Sequence, residues 1–192
     1  TDPPYGINIV KGKGKGVVGV KGIAYPRLYY PIIGDNHPFD PTFLLSLAPL
    51  IVLWGANHFA SKLPDSKAWL VWDKCVCKDS LFSACELAWV NKGGHIQYYE
   101  WPWSGCIRQG NRREELTDRI APTQKPVGLY QQVLQDYPGK VILDLYGGSG
   151  SLLIACEKIA RQCRMMEIEP YYCDIIRNRW EAFAGQKAVK LS

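Results

Sequence analysis

The sequence predicts an α/β fold with a parallel sheet covered by helices. Two observations in its last third predict it. An apolar run, Lys140 to Tyr146, ends in Gly147-Gly148-Ser149-Gly150, and a helical pattern follows with Leu152, Leu153, Cys156, Ile159 and Ala160 on one face. A second apolar run, Cys163 to Ile168, then gives way to another helical pattern opened by Pro170. Strand, glycine turn, helix, strand and helix make a βαβ unit, which requires parallel strands joined by a right-handed crossover.

The other elements follow in chain order. Residues 1–8 carry two prolines and a glycine and read as a turn. Residues 11–22 alternate Lys with Gly, too glycine-rich for a helix, and read as a flexible basic loop within an irregular stretch 9–42. Phe43 to Leu47 has helical character, and Leu50 to Trp54 is a short apolar strand ending at Gly55. Trp69 to Trp72 and residues 95–101 give two more strands. Residues 102–122 are polar and irregular. Pro126 can occupy the first turn of a helix whose apolar face is Val127, Tyr130, Val133, Leu134 and Tyr137, stopped by Pro138-Gly139.

With 192 residues, 47% of them hydrophobic, the chain has material for one well-filled domain. A net charge of +5 permits a polyanionic partner without demanding one. Seven irregularly spaced cysteines in a chain of this size read as reduced thiols rather than disulfide staples. Cys75-Val76-Cys77 lacks the two-residue gap and the second ligand pair of a zinc site, so no metal site is expected. The longest apolar run, Phe43 to Trp54, is broken by Ser46 and Pro49, so no membrane span is expected either. There is no secretory signal, and the Thr1-Asp2 start reads as a position inside a longer natural chain.

Ligands of a βαβ unit bind at the carboxyl edge of its strands. Asp144 precedes the glycine turn, and Glu167 ends the second strand, where an acid accepts hydrogen bonds from ribose hydroxyls. The turn matches neither the dinucleotide nor the phosphate-loop pattern. A cofactor with a ribose, a cationic centre and no phosphate suits it, and S-adenosylmethionine (AdoMet) has those features. The competing reading is a glycine turn that serves packing alone. At the other end of the chain, the prolines of Asp2-Pro3-Pro4-Tyr5 fix the direction of the Pro3 carbonyl. That carbonyl and the Asp2 carboxylate give two acceptors for the two hydrogens of an exocyclic amine, and Tyr5 gives a face for a flipped base. A polar turn with an incidental Tyr is the alternative.

Four motifs in this order, Asp2-Pro3-Pro4-Tyr5-Gly6, Pro122-Thr123-Gln124-Lys125-Pro126, Asp144 to Gly150 and Glu167-Ile168-Glu169-Pro170, resemble the permuted β group of DNA amino-methyltransferases. Phe82 to Trp89 resembles a segment of the small phage and prophage members. The resemblance implies a Rossmann-like AdoMet-dependent methyltransferase fold, an open and mostly parallel sheet with one antiparallel strand. It implies a catalytic half over 1–101, a target-recognition segment over 102–122 and an AdoMet half over 123–192. It implies transfer to adenine N6 in double-stranded DNA with base flipping. Asp2, Pro3, Pro4 and Tyr5 would be catalytic. Asp144, Tyr146, Gly148, Ser149, Gly150 and Glu167 would hold AdoMet, with Thr123, Lys125 and Pro126 at its methionine end.

Lys11, Lys13, Lys15 and Lys21 form a basic stretch that could close over phosphates, or an ordinary solvated loop. Arg108, Arg112, Arg113 and Arg119 fall where the β group reads its target, and Glu114, Glu115 and Asp118 allow an internal ion-pair network instead. So short a segment suits a short recognition sequence. Trp101 and Trp103 could wedge into DNA, although tryptophans in a domain of this size more often fill the core.

The chain departs from the family pattern at Ala121, where His is usual, at Leu145-Tyr146, where Pro-Phe is usual, and at Ser151 and Leu152. The family's N-terminal strands, which lead into the tetrapeptide, are expected to be missing. Three alternatives stay open: cytosine-N4 methylation, which more often uses Ser in place of Asp2; RNA or protein methylation, which the motif order disfavours; and a remnant that transfers nothing. The resemblance further allows a homodimer and places the protein in the cytoplasm of a bacterial or phage-infected cell.

Overall fold

Tryptophan-rich alternation builds the first sheet. The computed structural model describes residues 1–9, 31–76, 83–103, 109–110, 121 and 123–191, with the backbone of 16–20, 23–27, 104 and 107–108. These gather into two units, Thr1–Gln109 and Gly110–Ser192.

In the first unit, β1 (Gly16–Val20) and β2 (Ile23–Arg27) pair as an antiparallel hairpin. This corrects the reading of 9–42 as irregular throughout. The valines at 17, 18 and 20 favour extended backbone, and the lysine–glycine alternation hid them. A 3₁₀ turn, Thr42–Ser46, stands where helical character was expected. The main sheet is formed by β3 (Val52–Trp54), β4 (Ala68–Asp73), β5 (Cys85–Val90) and β6 (Gln97–Glu100), in the order β3-β5-β4-β6. β5 runs antiparallel to both β3 and β4, while β4 and β6 are parallel. The sheet is thus parallel apart from one strand, as expected. That strand, β5, was not recognised as such in the sequence. A further short hairpin, β7 (Trp103–Ser104) with β8 (Ile107–Arg108), lies within the segment read as irregular.

The core of this unit follows from the alternation in β4. Ala68, Leu70 and Trp72 are buried on one face together with Trp54, Ala88 and Val90, while Leu53 and Trp89 are buried on the other. Trp54 and Trp72 meet edge to face with centroids 6.4 Å apart. The indole N–H of Trp72 donates to the Trp101 carbonyl and that of Trp89 to the Pro64 carbonyl, each at 3.0 Å. Satisfied in this way, the indoles add large apolar areas to the core without stranding a polar group. Trp103 is buried too.

The second unit contains α1 (Val127–Asp136), β9 (Val141–Asp144), α2 (Ser151–Lys158), β10 (Gln162–Met165) and α3 (Pro170–Ala184). β9 and β10 are parallel, with Asp144 opposite Met165. The predicted βαβ unit and its following helix are all present. α1 packs on α2 through buried Leu129, Val133 and Leu134, with Ile154 and Cys156 buried on α2. A fully buried Leu or Ile contributes about 1.5–3 kcal/mol, so Ile154→Ala would destabilise this unit. Glu169 caps α3 by accepting from the Tyr171 N–H, Pro170 fills its first position, and Gly185 closes it at φ 68°. No helix among the described residues is long and apolar enough to cross a membrane.

Candidate active site

The tetrapeptide lies beside the first strand of the main sheet. The Thr1 amino group donates to the Val52 carbonyl at 2.9 Å, and the Trp54 N–H donates to the Thr1 carbonyl at 3.1 Å. Thr1 therefore pairs with β3 as a strand residue would, and Asp2-Pro3-Pro4-Tyr5 continues from there. Pro3 is buried, while Asp2, Pro4 and Tyr5 are half-buried. The Tyr5 hydroxyl donates to Asp2 Oδ1 at 2.6 Å. Its ring stacks on His58, with centroids 4.9 Å apart and planes within 14°. On another side lies Gly55, in the left-handed region at φ 68°. A β-carbon there would come 1.9 Å from Tyr5 Cε1, so only glycine leaves the ring its place. The Asp2 carboxylate thus lies at the hydroxyl end of the Tyr5 ring, with His58 stacked on one face of that ring.

The second group of residues surrounds the glycine turn. Asp144, at the end of β9, is buried, and its Oδ1 accepts the Tyr146 N–H at 3.3 Å. Glu167 grips the turn, with Oε2 accepting the Gly148 N–H at 2.7 Å and Oε1 the Glu169 N–H at 2.9 Å. The glycines differ in purpose. A β-carbon on Gly147 would come 2.7 Å from Met165 Sδ, and one on Gly150 would come 3.1 Å from Ile176, whereas one on Gly148 would meet nothing within 4 Å. Packing accounts for the first two, and the open side of the turn is at Gly148. Buried Arg179 supports the turn from α3, donating through Nη1 to the Ser149 carbonyl at 2.8 Å and to Ser151 Oγ at 3.0 Å. Half-buried Tyr146 has its hydroxyl pKa pushed up by burial.

Thr123, Lys125 and Pro126 lie in the same unit, immediately before α1. Lys125 and Pro126 are buried and Thr123 is half-buried. Lys11, Lys13, Lys15, Arg112 and Arg113 lie outside the described residues, and of Arg108 only the backbone, in β8, is described. Among the described residues, no three His, Cys, Asp or Glu side chains gather into a metal-holding group. Cys75, Cys85, Cys156, Cys163 and Cys173 are free thiols.

Sequence reasoning missed Gly55, His58 and Arg179. For Arg179 a signal existed, because helical spacing from Tyr172, Ile175 and Ile176 puts it on the inward face of α3. Gly55 and His58 gave none, since their partner Tyr5 is remote in sequence.

Among solved structures, the chain resembles M1.HpyAVI in complex with SAM. The TM-score is 0.46 and the identity 18%, over 68% of this chain and 73% of that one. It also resembles TTHA0409, a putative DNA modification methylase from Thermus thermophilus, complexed with S-adenosyl-L-methionine. There the TM-score is 0.44 and the identity 15%, over 71% of this chain and 70% of the other. The profile of a family described as DNA methylase, of the N6/N4 methyltransferase type, matches residues 64–178, more than half of the chain. The chain belongs to the N6/N4 DNA methylase family.

Proposed function

We propose that this protein transfers the methyl group of AdoMet to the N6 amine of adenine in double-stranded DNA, acting on a base rotated out of the helix. The observation that carries this reading is the Asp2–Tyr5 arrangement, a carboxylate and an aromatic ring joined through the ring's hydroxyl by a 2.6 Å hydrogen bond.

The glycine turn fits AdoMet on two grounds. Its open side, at Gly148, admits close approach to the backbone. The Glu167 carboxylate adjoins it, and a carboxylate has about four acceptor positions, so holding two N–H groups leaves capacity for ribose hydroxyls. Asp144, Tyr146, Ser149, Gly150, Thr123, Lys125 and Pro126 are the other residues proposed to hold the cofactor. When bound, AdoMet supplies a methyl group on a cationic sulfur that departs as a neutral thioether.

The protein's own work is positioning and electrostatics. Asp2 and the Pro3 carbonyl accept the two amine hydrogens, which orients the nitrogen lone pair. Asp2 then takes the proton that the nitrogen sheds. Tyr5 stacks on the base, and the basic side chains Lys11, Lys13, Lys15, Arg108, Arg112 and Arg113 contact phosphates or bases. No cysteine is needed as a nucleophile. Asp2, rather than Ser, favours adenine over cytosine.

The test is to incubate the protein with AdoMet and unmethylated duplex DNA, then identify methylated nucleosides by mass spectrometry. N6-methyladenine that disappears with Asp2→Ala is the expected result. N4-methylcytosine would overturn the base assignment, and no methylation by folded protein that binds AdoMet would overturn the activity.

A further inference from the structure

We propose that Asp35 is a positioning residue of the transfer site, one that fixes the backbone carrying Tyr5; this rests on the reading of Asp2 to Tyr5 given above. Asp35 is 3% exposed, yet it is a carboxylate. Its Oδ1 accepts the backbone N–H groups of Tyr5 at 3.1 Å, Gly6 at 2.9 Å and Ile7 at 3.2 Å. Its Oδ2 accepts that of Ile9 at 2.7 Å. The Asp35 carbonyl accepts the Asn8 N–H at 2.7 Å. Every N–H from Tyr5 to Ile9 is therefore bound to this one residue.

The segment has the curvature that such convergence requires. Gly6 and Asn8 have φ of 76° and 51°, on either side of Ile7. A β-carbon at Gly6 would come 2.5 Å from the His37 carbonyl oxygen, so the two segments lie as close as backbones allow. Successive N–H groups turned inward make a concavity that binds anions, and here the chain supplies the anion itself.

Residues 5–9 belong to no helix or strand. What locates them is the carboxylate. The Tyr5 N–H is held by Asp35, the Tyr5 hydroxyl by Asp2 and the Tyr5 ring by His58. Without Asp35, the peptide that sets the origin of the Tyr5 side chain loses its anchor, and the aromatic face moves relative to the Asp2 carboxylate. A displacement of about 1 Å at such a site lowers turnover by roughly 100-fold. Among the described residues Asp35 bonds to Tyr5, Gly6, Ile7, Asn8, Ile9 and Ile32, none of them proposed to hold AdoMet, so AdoMet affinity is not expected to follow.

The experiment compares the full chain with Asp35→Asn and Asp35→Ala. Amide hydrogen exchange is read by NMR, and kcat, KM for DNA and AdoMet affinity are measured alongside. Asn keeps the shape but presents an N–H₂ group to at least one N–H donor, so it should restore part of what Ala loses. The expected result is exchange at Tyr5, Gly6, Ile7 and Ile9 faster by at least ~10-fold in Asp35→Ala, with Leu70 and Trp72 unchanged. With it should come a fall in kcat of roughly 10–100-fold, an intermediate value for Asn, and AdoMet affinity within ~2-fold of wild type. Unchanged exchange at the four amides, wild-type kcat in folded Asp35→Ala, or faster exchange throughout β4 would each overturn the proposal. A wild-type protein that methylates no DNA would defeat the proposed function instead, and the exchange data would still decide whether Asp35 holds the Tyr5 segment.

Discussion

Tyr5 Oη lies 2.6 Å from Asp2 Oδ1, so the side chain proposed to stack on the base is hydrogen-bonded to the one proposed to hold its amine. The two functions separate by substitution. Tyr5→Phe keeps the ring and removes the bond, and kcat should fall by less than ~10-fold. Tyr5→Ala removes the stacking face, worth about 1–3 kcal/mol per base, and should lower kcat/KM by roughly 10–100-fold. Steady-state kinetics on one duplex decide it, and equal losses for both variants would contradict the stacking role.

Gly55 makes a sharper test, because it touches no substrate in this scheme. A β-carbon there collides with the Tyr5 ring and also places a non-glycine residue at φ 68°. The backbone cost alone is about 1–2 kcal/mol. Gly55→Ala should fold with a lowered Tm and lose most of its methyl transfer. Normal activity in that variant would mean that the position of Tyr5 is not what matters.

Glu167 should govern cofactor affinity through the turn it holds. Glu167→Ala frees the Gly148 and Glu169 N–H groups. Hydrogen bonds to a charged group are worth about 1.5–3 kcal/mol each, so AdoMet binding measured by calorimetry should weaken by at least ~10-fold. Glu167→Gln should lose less. An unchanged dissociation constant would remove Glu167 from the site.

Arg179 makes its contribution to stability. Arg179→Met keeps the apolar stem and strands the Ser149 carbonyl inside the unit. A loss of roughly 1–3 kcal/mol is expected in the denaturant midpoint, with AdoMet affinity reduced as a consequence. No change in the midpoint would show that the contact is dispensable.

Asp73 offers a pH readout. The Tyr98 hydroxyl, and then the Cys75 N–H, hold its carboxyl below the usual range. A depressed folded pKa means stability that is present above the unfolded value of about 4 and lost as pH falls through the folded one. Tyr98→Phe should raise the Asp73 midpoint seen by NMR titration. An unmoved midpoint would assign the depression to the backbone bond.

The parts legible in the sequence were those built from neighbours. Val127 to Leu134 declares its helix by spacing, and Asp144 to Gly150 declares its turn by glycine between a strand and a helix. β5 escaped because its burial does not alternate. Its last three residues, Ala88, Trp89 and Val90, are all buried, and its partners come from strands remote in sequence. The Tyr5 motif was legible, but its supports were not. Asp35, Gly55 and His58 reach it through long-range contacts that no local pattern encodes.

The glycines around the turn answer to different pressures. Gly147 and Gly150 face the protein's own side chains, while Gly148 faces outward. In a lineage that abandoned its chemistry but kept the fold, selection would go on purging replacements at 147 and 150. Position 148 would drift toward Asn, the residue that best tolerates its φ of 53°. Replacement by Asn at 148 would thus leave the packing of the turn intact, whereas any side chain at 147 or 150 would have to displace Met165 or Ile176.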